Sequence, residues 1–208
     1  MDGKTFIRWI GACAAGEAVG LTLSGVIAAL VGVLVSPEIG SPDPLLLRGA
    51  MVAAGFVEGA CVGAAQVAIL RHLFGDVSAP KFIVMSGVGM ALGWALGSYL
   101  ISGTESFNNP DLGTMLFAAL VSGLGLGVVL GALQTWALGR AAVARRWAAG
   151  NAVGWSLAMM VSFFGTNAMP AGAYGPGALG VLLVTGAAMG AVVGVSTAVL
   201  ALAPLSRD

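Results

Sequence analysis

Six long apolar segments, separated by short stretches that hold the turn-forming residues and most of the charge, constrain this sequence more than any other feature. A helix needs roughly 20 mostly apolar residues to cross the hydrocarbon core of a bilayer. The segments that meet this requirement are about 6–35, 45–70, 82–102, 114–138, 147–164 and 178–202. They predict an all-α integral membrane protein in which six transmembrane helices form a single membrane domain over residues 1–208.

The amino-acid composition indicates the same fold class. Charged residues make up 9% of the chain and hydrophobic residues 58%, whereas a soluble domain carries about 25% charged residues. So little charge cannot cover a water-facing surface, and the lipid bilayer is therefore the expected partner. The nine basic and nine acidic residues balance, which leaves no excess positive charge of the kind that binds nucleic acid.

The distribution of lysine and arginine predicts the orientation of the chain, because these residues stay on the cytoplasmic side of a membrane. Six spans place almost all of the basic residues on one side, namely Lys4, Arg8, Arg71, Lys81, Arg140, Arg145, Arg146 and Arg207. Arg48 alone falls on the other side, whose loops carry Glu38, Asp43, Glu105 and Asp111. We therefore expect a multi-pass protein of the plasma (inner) membrane with both termini in the cytoplasm.

An internal repeat links the three even-numbered spans. Each contains three glycines spaced by four residues and a polar residue three positions later: Gly55, Gly59, Gly63 and Gln66; Gly123, Gly127, Gly131 and Gln134; Gly186, Gly190, Gly194 and Thr197. The odd spans match more weakly, WIGACAAG at 9–16 with WAAGNAVG at 147–154, and LGW at 92–94 with VGW at 153–155. We expect three tandem, circularly permuted helical hairpins (45–102, 114–164, and 178–202 with 6–35) with approximate threefold pseudo-symmetry.

The glycines and the polar residues of the repeat have different expected roles. Small residues four apart let helices approach closely in a bilayer, so the glycines are interpreted as packing residues. Gln66, Gln134 and Thr197 share the glycine face near the cytoplasmic end of their spans. They are expected either to cluster around the pseudo-threefold axis or to fix packing through separate hydrogen bonds. Asn151 in the fifth span is expected to form a hydrogen bond across helices.

Two glutamates interrupt the first two spans. Glu17 and Glu58 lie about eleven and thirteen residues into oppositely directed spans, so both reach the middle of a hydrocarbon core about 30 Å thick. An ionised carboxylate there costs on the order of 3 kcal/mol. We expect the two acids to face each other and to share a proton or hold a cation. The alternative is that each is protonated and bonded to a neighbouring group, which holds helices in register.

The cysteines and tryptophans give weaker indications. Cys13 and Cys61 each share a helix face with one of the glutamates, which leaves a soft divalent metal bound by two cysteines and two glutamates as an alternative. Cysteine is also a common packing residue, and the main expectation is a protein without metal or cofactor. Trp9, Trp136 and Trp147 lie near the cytoplasmic ends of their spans and are expected to be interface anchors.

The chain is not expected to be an enzyme, because it shows no Ser/His/Asp set, no metal-spaced histidines and no nucleotide-binding motif. Two functions then remain. The first is a proton- or cation-linked transporter or channel that uses Glu17 and Glu58, with Gln66, Gln134 and Asn151 lining the inner half of its path. The second is an accessory or scaffold subunit of a larger membrane complex, with other membrane subunits or a second copy of the chain as partner.

Overall fold

The computed structural model describes residues 1–34, 44–102, 111–168 and 175–202, and over these ranges the regular structure is entirely helical. The predicted loop residues Glu38, Asp43 and Glu105, together with Arg207, lie outside the described residues. The helices are α1 (Gly3–Leu34), α2 (Pro44–Phe74), α3 (Ala79–Ser102), α4 (Leu112–Leu138), α5 (Ala144–Asn167) and α6 (Pro176–Thr197). All six are long and apolar enough to cross a membrane, which confirms the predicted all-α class with six candidate spans.

The helix ends follow from local sequence. Asp111 caps α4, because its carboxylate accepts hydrogen bonds from the amide of Thr114 at 3.0 Å and from its hydroxyl at 2.6 Å. These bonds stabilise the ionised carboxylate and lower the pKa of Asp111. Gly139 ends α4 in the left-handed conformation, with φ of 67°, which a residue without a side chain adopts at little cost. Beyond α6, the chain continues as one π-helical turn, Ala198–Leu202.

The six helices form a closed ring in which each packs against the next and α6 packs against α1. Contact is most extensive between α2 and α3, between α4 and α5, and between α6 and α1. Neighbours run antiparallel: Gly123 of α4 meets Ser156 of α5, and Gly131 meets Ala148. The start of α1, the α2–α3 and α4–α5 connections and the end of α6 therefore lie together, at what we call the basic end.

Glycines permit the closest contacts in this ring. A Cβ added to Gly127 would lie 2.6 Å from Cα of Ala152, and one added to Gly194 would lie 3.0 Å from Cα of Ile10. A Cβ on Gly63 would lie 2.8 Å from the Ser86 side chain. Helices α4, α6 and α2 thus each use the repeated glycines to contact α5, α1 and α3, as expected for helix packing in lipid.

Two tryptophans depart from the sequence-based expectation. Trp9 and Trp147 are 0% exposed and contact each other edge to face, with ring centroids 5.8 Å apart. Their prediction as interface anchors is therefore wrong, because both side chains point into the bundle rather than toward lipid. Trp136, by contrast, is 61% exposed, and the Lys81 ammonium lies 4.0 Å from the centroid of its ring.

Candidate functional site

Glu17 on α1 and Glu58 on α2 face each other inside the bundle. Their side chains are 1% and 2% exposed, and their carboxyl groups lie within hydrogen-bonding reach of each other. Gly20 makes this approach possible: a Cβ at that position would lie 2.9 Å from the carbonyl oxygen of Glu58 and 3.0 Å from its Cα. The backbones of α1 and α2 therefore cross closely one turn from Glu17.

Glu58 accepts a hydrogen bond from a third helix. The indole Nε1 of Trp94, on α3, donates to Oε2 of Glu58 at 3.1 Å. The Ser24 hydroxyl lies near this carboxyl group, but it donates its hydrogen to the Ala54 carbonyl at 2.8 Å. Gly55 provides the space for the indole, since a Cβ there would lie 2.7 Å from Cγ of Trp94. The glycine repeat of α2 thus positions the donor as well as the helix.

Glu17 is surrounded differently. Neither of its carboxyl oxygens accepts a hydrogen bond from any donor among the described residues. Its backbone is covered by α6, because a Cβ on Gly186 would lie 2.7 Å from the Glu17 carbonyl oxygen. The two acids of the pair are therefore chemically unequal: among the described residues the Trp94 indole donates to Glu58, whereas no donor reaches Glu17.

This geometry limits the protonation states of the pair. An ionised carboxyl group accepts hydrogen bonds but donates none, so the two groups can bond to each other only when one of them carries a proton. Two adjacent negative charges in the interior of a bilayer would repel each other, in addition to the cost of burying each charge. The pair is thus able to hold one proton between two carboxyl groups and to release or accept it when its surroundings change.

The predicted polar residues Gln66 and Gln134 meet in a second buried group, nearer the basic end. Nε2 of Gln134 donates to Oε1 of Gln66 at 3.1 Å and to Oγ of Ser86 at 3.0 Å. Nε1 of Trp147 donates to Oε1 of Gln134 at 3.0 Å. Helices α2, α3, α4 and α5 are therefore joined by hydrogen bonds that are all internal to the chain.

Thr197 joins this group only through the tryptophan pair. Its hydroxyl accepts a hydrogen bond from Nε1 of Trp9 at 2.9 Å and donates to the Val193 carbonyl at 2.7 Å. Trp9 in turn contacts the ring of Trp147. We call the six residues the glutamine–tryptophan cluster: Trp9, Gln66, Ser86, Gln134, Trp147 and Thr197.

Asn151 does not make the expected bond across helices. Its Nδ2 donates to the Trp147 carbonyl of its own helix at 3.0 Å, and its Oδ1 has no partner among the described residues. The prediction is wrong because an asparagine side chain reaches the carbonyl four residues earlier in the same helix, and this local bond competes with bonds to a neighbouring helix.

Cys13 lies between the glutamate pair and the glutamine–tryptophan cluster. Its sulfur accepts a hydrogen bond from Nε2 of Gln66 at 3.5 Å, and it precedes Glu17 by one helical turn. Cys61 is a partly exposed free thiol near Glu58. In the part of the chain that the structure describes, no three His, Cys, Asp or Glu residues are grouped to hold a metal ion, so the metal alternative gains no support.

Sequence reasoning did not identify Trp94, whose hydrogen bond to Glu58 joins residues 36 positions apart. The match of LGW with VGW aligns Trp94 with Trp155, and the match of the first and fifth spans aligns Trp155 with Glu17. Trp94 therefore occupies, in its own hairpin, the position that Glu17 occupies in the hairpin of α6 and α1. The alignment does not predict the contact with Glu58, because Glu17 faces a residue of the neighbouring hairpin, whereas Trp94 donates to Glu58 of its own hairpin.

Comparison of this chain with known protein families, with curated proteins and with solved structures finds no match in any of the three. Its function must therefore be inferred from its own residues.

Proposed function

We propose that this chain is a small proton- or cation-linked membrane transporter or channel and that Glu17 and Glu58 form its ion site. The observation that carries the proposal is the carboxyl group of Glu17, which is buried, accepts no hydrogen bond from the described residues and faces a second carboxyl group. Buried polar groups are almost always hydrogen-bonded, and the exceptions are often functional. Ionisable residues within membrane spans typically mark ion pathways and proton relays.

The repeat supports a special role for the pair. The positions that match Glu58 are occupied by Leu126 and Met189, and the position that matches Glu17 is occupied by Trp155. Equivalent helix contacts thus form elsewhere in the same molecule without acids. A carboxyl pair that served packing alone would have no reason to appear at one place only.

The path that we propose runs from the pair toward the basic end through Cys13 and the glutamine–tryptophan cluster. Beyond the cluster, buried apolar side chains close the bundle: Leu70, Val77, Phe82, Leu138, Ala201 and Leu202. Transport would require these residues to separate, so that water reaches the polar groups.

We propose further that the three hairpins are related by an approximate threefold axis along the membrane normal. The supporting observation is the equivalence of two glycine contacts: Gly127 packs against Ala152, and Gly190 packs against Ala14. Ala152 and Ala14 are matched positions in the sequence alignment of the fifth and first spans. The same stripe in α2 contacts α3 at Gly59 and Gly63.

A second candidate function is that of an accessory or scaffold subunit, with another membrane protein or a second copy as partner. The observation that favours it is the glutamine–tryptophan cluster, whose hydrogen bonds are satisfied within the chain. Such a network fixes the positions of helices without requiring any ion. In this case the glutamates would serve to hold α1 and α2 in register.

Proton and cation flux into liposomes that contain the purified protein separates the two functions. We expect flux from the wild type and at least a tenfold loss in a Glu17→Gln/Glu58→Gln double variant, since neither amide can release a proton. The control is Asp76→Asn, which removes an exposed carboxylate outside the spans and should leave flux unchanged. Folded, correctly inserted wild type without flux would contradict transport, and a stoichiometric partner in mild detergent would then support the accessory role.

A further inference from the structure

We infer that the glutamate pair takes a proton rather than a metal cation, that the proton is held on Glu17, and that Glu58 is its anionic partner, positioned by the indole N–H of Trp94. The inference rests on the proposed function for the identity of the transported ion, whereas the location of the proton follows from the contacts alone. It adds Trp94 to the site as a positioning residue.

The hydrogen bonds around the pair are satisfied by one arrangement of a single proton. If Glu17 carries the proton, its O–H donates to Glu58, and the Trp94 N–H donates to Oε2 of the same carboxylate at 3.1 Å. The anion then lies beside the Trp94 donor, and the carboxyl group to which no described residue donates is neutral. The reverse arrangement would put the charge on Glu17, which among the described residues could accept a hydrogen bond from Glu58 alone. The Trp94 N–H would then donate to a neutral acid.

The ligands around the pair do not suit a metal cation. Hard cations such as Ca²⁺ take about 6–8 oxygen ligands, and Zn²⁺ takes about four ligands in a tetrahedron. The described residues provide two carboxyl groups and no third acidic, histidine or cysteine ligand grouped with them. The Cys13 sulfur already accepts the Gln66 amide at 3.5 Å, and the Trp94 N–H directs its positive end at Glu58, which disfavours a cation there.

The chain contains a matched control for Trp94. Trp155 occupies the aligned position in the α4–α5 hairpin, is buried, and has an indole N–H without a partner among the described residues. The residue aligned with Glu58 in that hairpin is Leu126. Trp94→Phe and Trp155→Phe therefore remove the same atoms from equivalent places, but only the first removes a hydrogen bond to a carboxylate.

Infrared spectroscopy of the full chain in lipid nanodiscs, with ¹³C-carboxyl-labelled glutamate, tests the inference at neutral pH without requiring transport. We expect one protonated glutamate signal in the wild type, its loss in Glu17→Gln, and its retention in Glu58→Leu, which copies Leu126. Trp94→Phe should shift the Glu58 carboxylate signal or convert part of it to the protonated form. Trp155→Phe should leave both signals unchanged.

Several results would overturn the inference: no protonated signal in the wild type, its retention in Glu17→Gln, its loss in folded Glu58→Leu, or equal spectra for Trp94→Phe and wild type. Addition of Na⁺, K⁺ or Zn²⁺ as chloride should not shift the Glu58 carboxylate signal, and a saturable shift would show that the site holds a cation.

The expected spectra without any flux would support the inference and contradict transport. Glutamate-dependent flux with a retained protonated signal in Glu17→Gln would support transport and overturn the inference.

Discussion

At the scale of single residues, the important distinction is which buried polar atoms form hydrogen bonds. Trp147 and Gln134 do so, with a hydrogen bond of 3.0 Å between two side chains that are both 0% exposed. In a membrane interior no water can replace such a bond. The same reasoning draws attention to the carboxyl group of Glu17, which accepts no hydrogen bond from the described residues.

Trp147→Phe should destabilise the folded protein by about 1–3 kcal/mol, because it leaves the buried Oε1 of Gln134 without its donor. Trp136→Phe is the control, since Trp136 is 61% exposed, and substitutions at such positions stay within about 0.5 kcal/mol. Reversible unfolding of both variants in mixed micelles measures the difference. Equal free energies of unfolding would show that the Trp147 hydrogen bond contributes nothing.

At the scale of helices, the position of a glycine around the helix decides its importance. Gly127 and Gly125 lie two residues apart in α4. The first contacts the backbone of α5, whereas a Cβ on the second would meet nothing within 4 Å. Residues two apart point in different directions on a helix, so a single apolar helix presents one packing surface and one lipid surface.

Gly127→Ala should cost about 1–3 kcal/mol of stability, because the added methyl forces α4 and α5 apart. Gly125→Ala should be neutral or stabilising by up to about 1 kcal/mol, since alanine has the higher helix propensity and the methyl group enters open space. The thermal midpoints of the two variants in detergent provide the comparison. A loss of stability in Gly125→Ala that matches that of Gly127→Ala would contradict the packing assigned to these glycines.

At the scale of the whole molecule, the antiparallel order of the helices places the described basic side chains other than Arg48 at one end. The described residues at this end are Lys4, Arg8, Arg71, Lys81, Arg140, Arg145 and Arg146. A hydrogen bond between two helix connections stabilises the basic end: Arg140 donates to the Phe74 carbonyl at 2.7 Å. Because basic residues are retained in the cytoplasm, we propose that the basic end is cytoplasmic.

Cysteine labelling tests this orientation, in a background that carries Cys13→Ala and Cys61→Ala. In intact cells, a membrane-impermeant maleimide should label Leu112→Cys at the opposite end and spare Arg145→Cys. In inverted vesicles the labelling should reverse, because the basic end then faces the reagent. Labelling of Arg145→Cys in intact cells, with Leu112→Cys protected, would show that the chain has the opposite orientation.

The six candidate spans and the glycine repeat could be read from the sequence, because both are local properties of the chain. The length of an apolar run is enough to predict a membrane helix, and four-residue spacing is enough to place Gly123, Gly127 and Gly131 on one face. The depth of Glu17 and Glu58 follows in the same way from the rise per residue. The sequence does not show whether the two acids meet, because their depth does not determine the rotation of each helix about its own axis.

That rotation is a property of the packed bundle. Most of each helix surface is apolar, and a hydrophobic pattern of this kind does not show the side on which a tryptophan faces lipid. For this reason Trp9 and Trp147, predicted to lie at the interface, pack against each other in the interior. The hydrogen bond from Trp94 to Glu58 likewise arises from a contact between helices, and among the described residues no donor reaches Glu17. Local patterns specify the helices and their depth, and contacts between helices specify which side chains meet.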